Sequence, residues 1–534
     1  MQQYLPRRGF VKHSLIIGGV LGGAAAATGA KVPDPHEPES AAHDVRRFGA
    51  KGDCVTKDTK AIQAAIDACH RAGGGTVLLP AGTFLSGSLH LKSGVELHLE
   101  HGATLLGSPD KADYDVYETL GFKNDSDRET SFFHHALIWA EDQEHLAITG
   151  TGIIHGNHKK RGGPKAIALK RCKHVKIRDV TIIDAPNYAI SLLGTDYVHI
   201  DGVTIWNAWA DGIDPDASHH VRISNCHIES HDDSICPKAS FTLGERRSVE
   251  NLVVTNCVLA TECNGFKFGT ESGGDFKNIT VTNCAMFSRP NKRPADSGIS
   301  LLSVDGSNID GVTISNIVMD GPRCPIFVRL GNRGRDMPTP VAGSLKNVVL
   351  SNIVARNAYE ACTIAGIPGH PIESITLENV RVVYRGAGKA EESAVSVPEN
   401  VAKYPNSGMF GPLPAYGVYC RHAKDVRLSR VSMSCLAADQ RHGVYCEDVS
   451  DVVLDLLDAM QADGAVPIIR LHQVRDAIIR GCLPKKGTRE FLRVTGAESA
   501  DIRVMGNDFS KVEKPVSLDA DAAQDAVSAI GNAK

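Results

Sequence analysis

Residues 174–182, His174-Val175-Lys176-Ile177-Arg178-Asp179-Val180-Thr181-Ile182, hold two short runs of alternating apolar residues separated by a turn residue. Side chains at every second position share a face, as in a strand, and neither run is long enough for a helix. The phrase returns around Val198, Val221, Leu252, Ile279, Val312, Val348 and Ile375, and again at Val426, Val452, Ala477 and Ile502. Its intervals are 23, 23, 31, 27, 33, 36 and 27 residues as far as Ile375, then 51, 26, 25 and 25. Repeats at such intervals bury their apolar faces against one another rather than within themselves. Each phrase therefore predicts one coil of an all-β, right-handed parallel β-helix, its Val, Ile and Leu side chains stacked at the ~4.8 Å strand spacing.

The turns carry a second periodic signal. Asn225, Asn256, Asn283, Asn316, Asn352 and Asn379 occupy one place in the repeat, and Asn tolerates the left-handed turn conformation while bonding along a stack, so a ladder is predicted. Cys226, Cys257 and Cys284 each follow one of these asparagines, which predicts stacked small buried side chains rather than disulfides. An open coil exposes core and strand edge and needs a cap. Asp58-Thr59, followed by apolar residues at helical spacing from Ala61 to Cys69, predicts a short N-terminal cap helix with Asp58 as its N-cap. The 51-residue interval from Ile375 to Val426 predicts a loop excursion containing Tyr404, either a substrate wall or a packing loop.

Residues 1–30 place Arg7-Arg8-Gly9-Phe10-Val11-Lys12 before an apolar run from Leu15 to Ala27 that is short and Gly/Ala-rich for a membrane span. This resembles a twin-arginine export signal, which implies the twin-arginine translocase as a partner and a periplasmic or extracellular destination. Residues 31–43 are expected to be a leader and 44–534 a single domain, with its cap at about 44–82. Losing the signal removes Arg7, Arg8 and Lys12 and takes the net charge from -4 to -7. That balance argues against a nucleic-acid partner, and no membrane association is expected after signal removal.

Asp211, in Asp211-Gly212, lies 21 and 22 residues before Asp232 and Asp233, close to the local repeat of 23. The three carboxylates are therefore predicted on one face, one coil apart. Glycoside cleavage needs such a group, one acid to protonate the leaving oxygen and another carboxylate to activate water or attack. Asp214 and Asp216 are read instead as turn-capping or cation-holding acids, and neither a catalytic metal nor a cofactor is expected.

With these residues in view, the chain resembles the polygalacturonase-type family 28 glycoside hydrolases, of the pectin-lyase-like solenoid architecture, from roughly Val45 to Ile375. It keeps the second half of that family's Asn-Thr-Asp-Gly motif as Asp211-Gly212, and the paired acids as Asp232-Asp233. The resemblance implies an inverting hydrolase of a pectic polysaccharide or oligosaccharide, with Asp232 as general acid and Asp211 and Asp233 holding and activating water. The family's Gly-His-Gly is replaced by Cys263-Asn264-Gly265, and its uronate-binding Arg-Ile-Lys by Ser297 to Ser303, which has neither cation. Asn264, Lys267 and Glu271 are predicted substrate contacts, with a solvated turn as the alternative for Lys267. Arg329, one coil later, either replaces the missing cations or lies on the surface. A β-helix lyase using a basic residue, and a non-catalytic glycan-binding β-helix, are the competing readings. Trp206 and Trp209 flank the acids as potential subsite walls.

Overall fold

A computed structural model describes residues 42–534; the residues read as an export signal, and nearly all of those read as a leader, lie outside the described residues. Successive short strands pair in parallel with the strand one coil earlier and the strand one coil later, and the coils wind in the right-handed sense that chain twist favours. The architecture is the all-β, right-handed parallel β-helix that the repeat implies.

The register follows the sequence phrase residue by residue. Val175 pairs with Val198, Val198 with Val221, Val221 with Leu252 and Leu252 with Ile279. The row continues through Val312, Val348, Ile375, Val426, Val452, Ala477 and Ile502. These side chains are buried and form one core running from Val45 to Ala522. A one-residue slip would turn every one of them to the opposite face, so the alternation enforces the register.

At the N-terminal end the helix α1, Thr59–Arg71, lays Ile62, Ala65, Ile66 and Cys69 over the first coil. Asp58 stands at its N-terminus, but its carboxylate does not cap the helix. It accepts instead from the backbone N–H groups of Lys51 at 2.7 Å and Gly52 at 2.9 Å, tying the preceding turn to the cap. The domain begins slightly earlier than residue 44, because His43 and Asp44 pair with Val77 and Leu78.

The asparagine ladder is present. The Nδ2 of Asn256, Asn283, Asn316, Asn352 and Asn379 each donates to the Oδ1 of the asparagine one coil before. Asn225 closes the ladder on Asp201 at 2.7 Å. All six have φ between 52° and 57°, the left-handed region. Nearer the N-terminus the rings of His145, His174, Tyr197 and His220 stack in sequence, each residue also at positive φ. Cys226, Cys257 and Cys284 are buried free thiols, and no cysteine among the described residues is in a disulfide. Burial pushes the thiols of Cys172, Cys362 and Cys482 up to about 11.

Two excursions leave the coils on the same side as the acids. Residues 108–135 form an arm between the strands Ala103–Gly107 and Ala136–Glu141. Residues 385–414 form the predicted loop, which packs Val397, Met409, Phe410 and Leu413 onto Phe327 and Tyr419.

Asn316 tests the ladder, since its side chain bonds both neighbours at 3.1 Å from a left-handed backbone. Asn316→Ala is expected to destabilise by about 1–2 kcal/mol, combining lost hydrogen bonds with backbone strain, and Asn316→Gly by less. Denaturation midpoints with Gly at or below Ala would remove the backbone part of this account.

Candidate active site

The acids sit where the turn before one buried strand stacks on its equivalents. The Gly212 N–H donates to the Asp233 carbonyl, and the Ser234 N–H to the Asn264 carbonyl, both at 2.9 Å. The Asp211, Asp233 and Asn264 turns thus lie on three successive coils. Gly212 is required here: a Cβ would come within 2.5 Å of the Ser234 carbonyl. The Asp233 N–H donates to Asp211 Oδ1 at 3.1 Å, which fixes the two carboxyl groups relative to each other.

Two buried lysines serve the buried acids Asp211, Asp214 and Asp233. Lys238 Nζ donates at 2.7 Å to both Asp211 and Asp214, and its charge faces the Tyr188 ring 4.7 Å away. Lys267 Nζ donates at 2.7 Å to one oxygen of Asp233. Asn264 Nδ2 donates to the other at 2.6 Å, and its own Oδ1 accepts from Ser297 Oγ at 2.6 Å. Ser297, in the segment that lacks the expected cations, therefore orients the residue that stands where a histidine was expected. Burial and then the Asp214 charge push Asp211 well above the usual carboxylate range, and burial raises Asp214 to about 6. Burial opposes the charge on Lys238, but Asp211 and Asp214 outweigh it and hold the ammonium. Asp216 is a structural acceptor, bonded by the Ser240 N–H and hydroxyl at 2.8 and 2.5 Å.

Asp232 differs from its neighbours in being reachable. Its side chain is 24% exposed, against 5% for Asp211 and 3% for Asp233. Arg161, from the 156–164 turn, donates to it at 2.5 Å while its Nε holds Glu129 at 2.9 Å. Burial alone would raise the Asp232 carboxyl, but Lys267 and Arg161 outweigh it and hold the group below the usual range. Tyr404 from the long loop, Thr270, Glu271, Asp127 and Glu129 complete the pocket wall. Glu271 is buried and accepts from Arg335 at 3.0 Å.

The predicted residues thus divide. Asp211, Asp232, Asp233, Asn264, Lys267 and Glu271 come together, and Lys267 is a buried partner of Asp233 rather than a solvated turn lysine. Arg329 does not join them. It is neither exposed nor in the pocket, but buried beneath the long loop, donating to the carbonyls of Gly366 and Glu399 at 2.8 Å. Trp206 and Trp209 do not line the pocket either; Trp209 stacks on His231, and Trp206 packs against His227 with the rings tilted. Sequence reasoning missed Lys238, Arg161, Glu129 and Tyr188. Only Lys238 had a positional signal, lying five residues after Asp233 in the same coil. One ligand atom each from Asp211, Asp214 and Cys236, or from Asp232, Asp233 and Cys263, falls within 4.8 Å of the others. Their charge is met by Lys238, Lys267 and Arg161, which suits ion pairs better than a metal.

Comparison with known proteins agrees with this geometry. The family model for Glycosyl hydrolases family 28 matches residues 69–403. The chain belongs to that family. It is a glycoside hydrolase, and the matched span contains every acid of the pocket. An endo-polygalacturonase of Pectobacterium carotovorum subsp. carotovorum is 27% identical over 354 residues, covering 59% of this chain and 80% of the relative. A probable polygalacturonase of Vitis vinifera is 24% identical over 361 residues, 63% of this chain and 73% of its own. Among solved structures, the exopolygalacturonase of Yersinia enterocolitica superposes with a TM-score of 0.60 at 19% identity, covering 77% of this chain and 78% of that one. The exopolygalacturonase of Thermotoga maritima gives 0.59 at 19% identity, covering 73% and 91%. These two show the shared fold.

Two outcomes test the electrostatics. Lys238→Met leaves Asp211 and Asp214 buried without their shared cation and is expected to cost about 3–5 kcal/mol in chemical denaturation; a loss below ~1 kcal/mol would refute the pairing. Arg161→Ala removes a charge that lowers the Asp232 carboxyl, so its protonated form persists to higher pH. The alkaline limb of the kcat/KM profile should move upward in pH if Asp232 is the acid. An unmoved or lowered limb contradicts that role.

Proposed function

We propose that this family 28 hydrolase cleaves a pectic polysaccharide or oligosaccharide with inversion, Asp232 acting as general acid and Asp211 and Asp233 holding and activating water. The observation that carries the assignment is the division in exposure: one reachable carboxyl group beside two enclosed ones, each fixed by a buried lysine. A glycosidic oxygen can approach Asp232 alone. Substrate entry displaces Arg161, which leaves Lys267 as the one cation opposing burial and moves the Asp232 carboxyl toward the protonated form a general acid needs. Asn264 and Lys267 then act as positioning residues for Asp233, while Glu271 and Tyr404 face the sugar.

The polygalacturonase names of the relatives support the pectic substrate class. The competing lyase chemistry needs a basic residue free to take a proton, whereas Lys238 and Lys267 are each held by a buried carboxylate. A binding module would present an aromatic platform, and the tryptophans beside the acids do not line the pocket. The twin-arginine pattern in residues 1–30 supports export to the periplasm or beyond. Among the described residues no helix is long and apolar enough to cross a membrane.

Wild type and Asp232→Asn should be compared on a panel of pectic glycans, following reducing ends and ultraviolet absorbance. New reducing ends without absorbance, reduced about 100-fold or more in the variant, are expected for loss of a general acid. Absorbance that grows equally in both proteins would instead establish elimination and overturn the proposal.

A further inference from the structure

Beside the carboxylate pocket, beneath the 108–135 arm, lies a second and larger cleft of about 430 Å³. Its walls include Tyr117, Phe132, His135 and His158, with Lys111 and Arg128 among the lining residues. Glu129 lines both cavities, so the cleft adjoins the pocket in which Asp232 is exposed. Concave sites with aromatic walls and a few placed polar groups are where sugars and other small ligands bind.

Charge separates the two cavities. In the carboxylate pocket every cation is committed: Arg161 to Glu129 and Asp232, Lys238 to Asp211 and Asp214, Lys267 to Asp233. Of the acids close in sequence to the two cations, Asp113 is held by Lys57, Asp127 by Arg335 and Glu129 by Arg161, while Asp110 accepts from the backbone N–H of Ala112. Among the described residues neither Lys111 nor Arg128 makes an ion pair, and the Arg128 guanidinium instead lies 4.1 Å from the centre of the Tyr117 ring. The same two charges, after burial, help hold His135 below the ordinary histidine range. His158, also in the wall, has a buried Nε2 with no hydrogen-bond partner.

We propose that this cleft is a uronate subsite, which takes a sugar carboxylate between Lys111 and Arg128 with the ring against Tyr117 and Phe132, and that it carries the acid recognition that Ser297–Ser303 lacks. The inference rests on the pectic reading of the neighbouring pocket. A guanidinium and an ammonium together hold a carboxylate through charge-assisted hydrogen bonds, and an aromatic face covers the apolar side of the ring. The carboxylate pocket, crowded with acids whose cations are already used, would repel a second carboxylate and suits a neutral sugar.

Binding without turnover tests this. Calorimetric titration of trigalacturonate and of its methyl ester into the Asp232→Asn protein should give about tenfold tighter binding of the acid, a preference that weakens with salt. In Asp232→Asn/Lys111→Ala/Arg128→Ala the preference should fall to within about twofold, since each charged hydrogen bond carries roughly that factor or more. Arg128 also supports Tyr117, so Asp232→Asn/Lys111→Ala serves as the gentler variant and should lose part of the preference. Equal affinity of acid and ester in the parent, or a preference that survives both variants, overturns the subsite. If Asp232→Asn cleaves as fast as wild type, the general-acid assignment falls while the titration still judges the cleft; if cleavage is lost but no acid preference is seen, only the cleft falls.

Discussion

Parallel hydrogen bonding between coils is the constraint on which everything else in this chain depends. It sets neighbouring turns one strand spacing apart, so separation along the sequence becomes adjacency in space only when it equals a whole number of coils. Asp211 and Asp233 meet because 22 residues complete one turn of the solenoid at that level. Asn264 reaches Asp233 because the next coil is longer by the excursion between Ser230 and Val249 and still closes in register. The site is thus a property of the register, and the apolar row that maintains the register is indirectly what aims the acids.

That dependence explains how much of the molecule was legible beforehand. The phrase beginning at Val175 carries two-residue alternation and recurs at the coil interval, so both the fold and the pairing partners could be read from it. The asparagine ladder and the carboxylate stack were legible for the same reason: their members recur at coil spacing. Arg161 and Glu129 were not, because they come from excursions between coils, where neither alternation nor interval constrains position. Arg329 was misjudged as accessible for a related reason. Nothing periodic announces that residues 395–401 fold back over it and present carbonyl groups to its guanidinium. Asp58 was placed correctly at the start of α1, but its carboxylate serves the turn before it rather than the helix after it.

The pocket concentrates charge where water is scarce, and its architecture follows from that cost. An unpaired buried carboxylate is expensive, whereas one met by an ammonium and further hydrogen bonds is tolerable. Lys238 and Lys267 supply that compensation from inside the solenoid, so the two enclosed acids need not turn outward for water. Asp232 is compensated from outside, by Arg161 on the 156–164 turn. The arrangement leaves the enclosed acids fixed and makes the exposed one responsive to whatever enters.

The cysteines carry a consequence for how such a protein is made. Apart from the exposed Cys54 and the half-buried Cys263 and Cys435, the thiols are enclosed in the described coils and none is cross-linked. Enclosed thiols held in the protonated form are poor nucleophiles and poor targets for exchange. The order in which coils assemble is therefore set by strand addition and not by oxidation, and the finished solenoid can pass from reducing to oxidising surroundings without its covalent structure having to change.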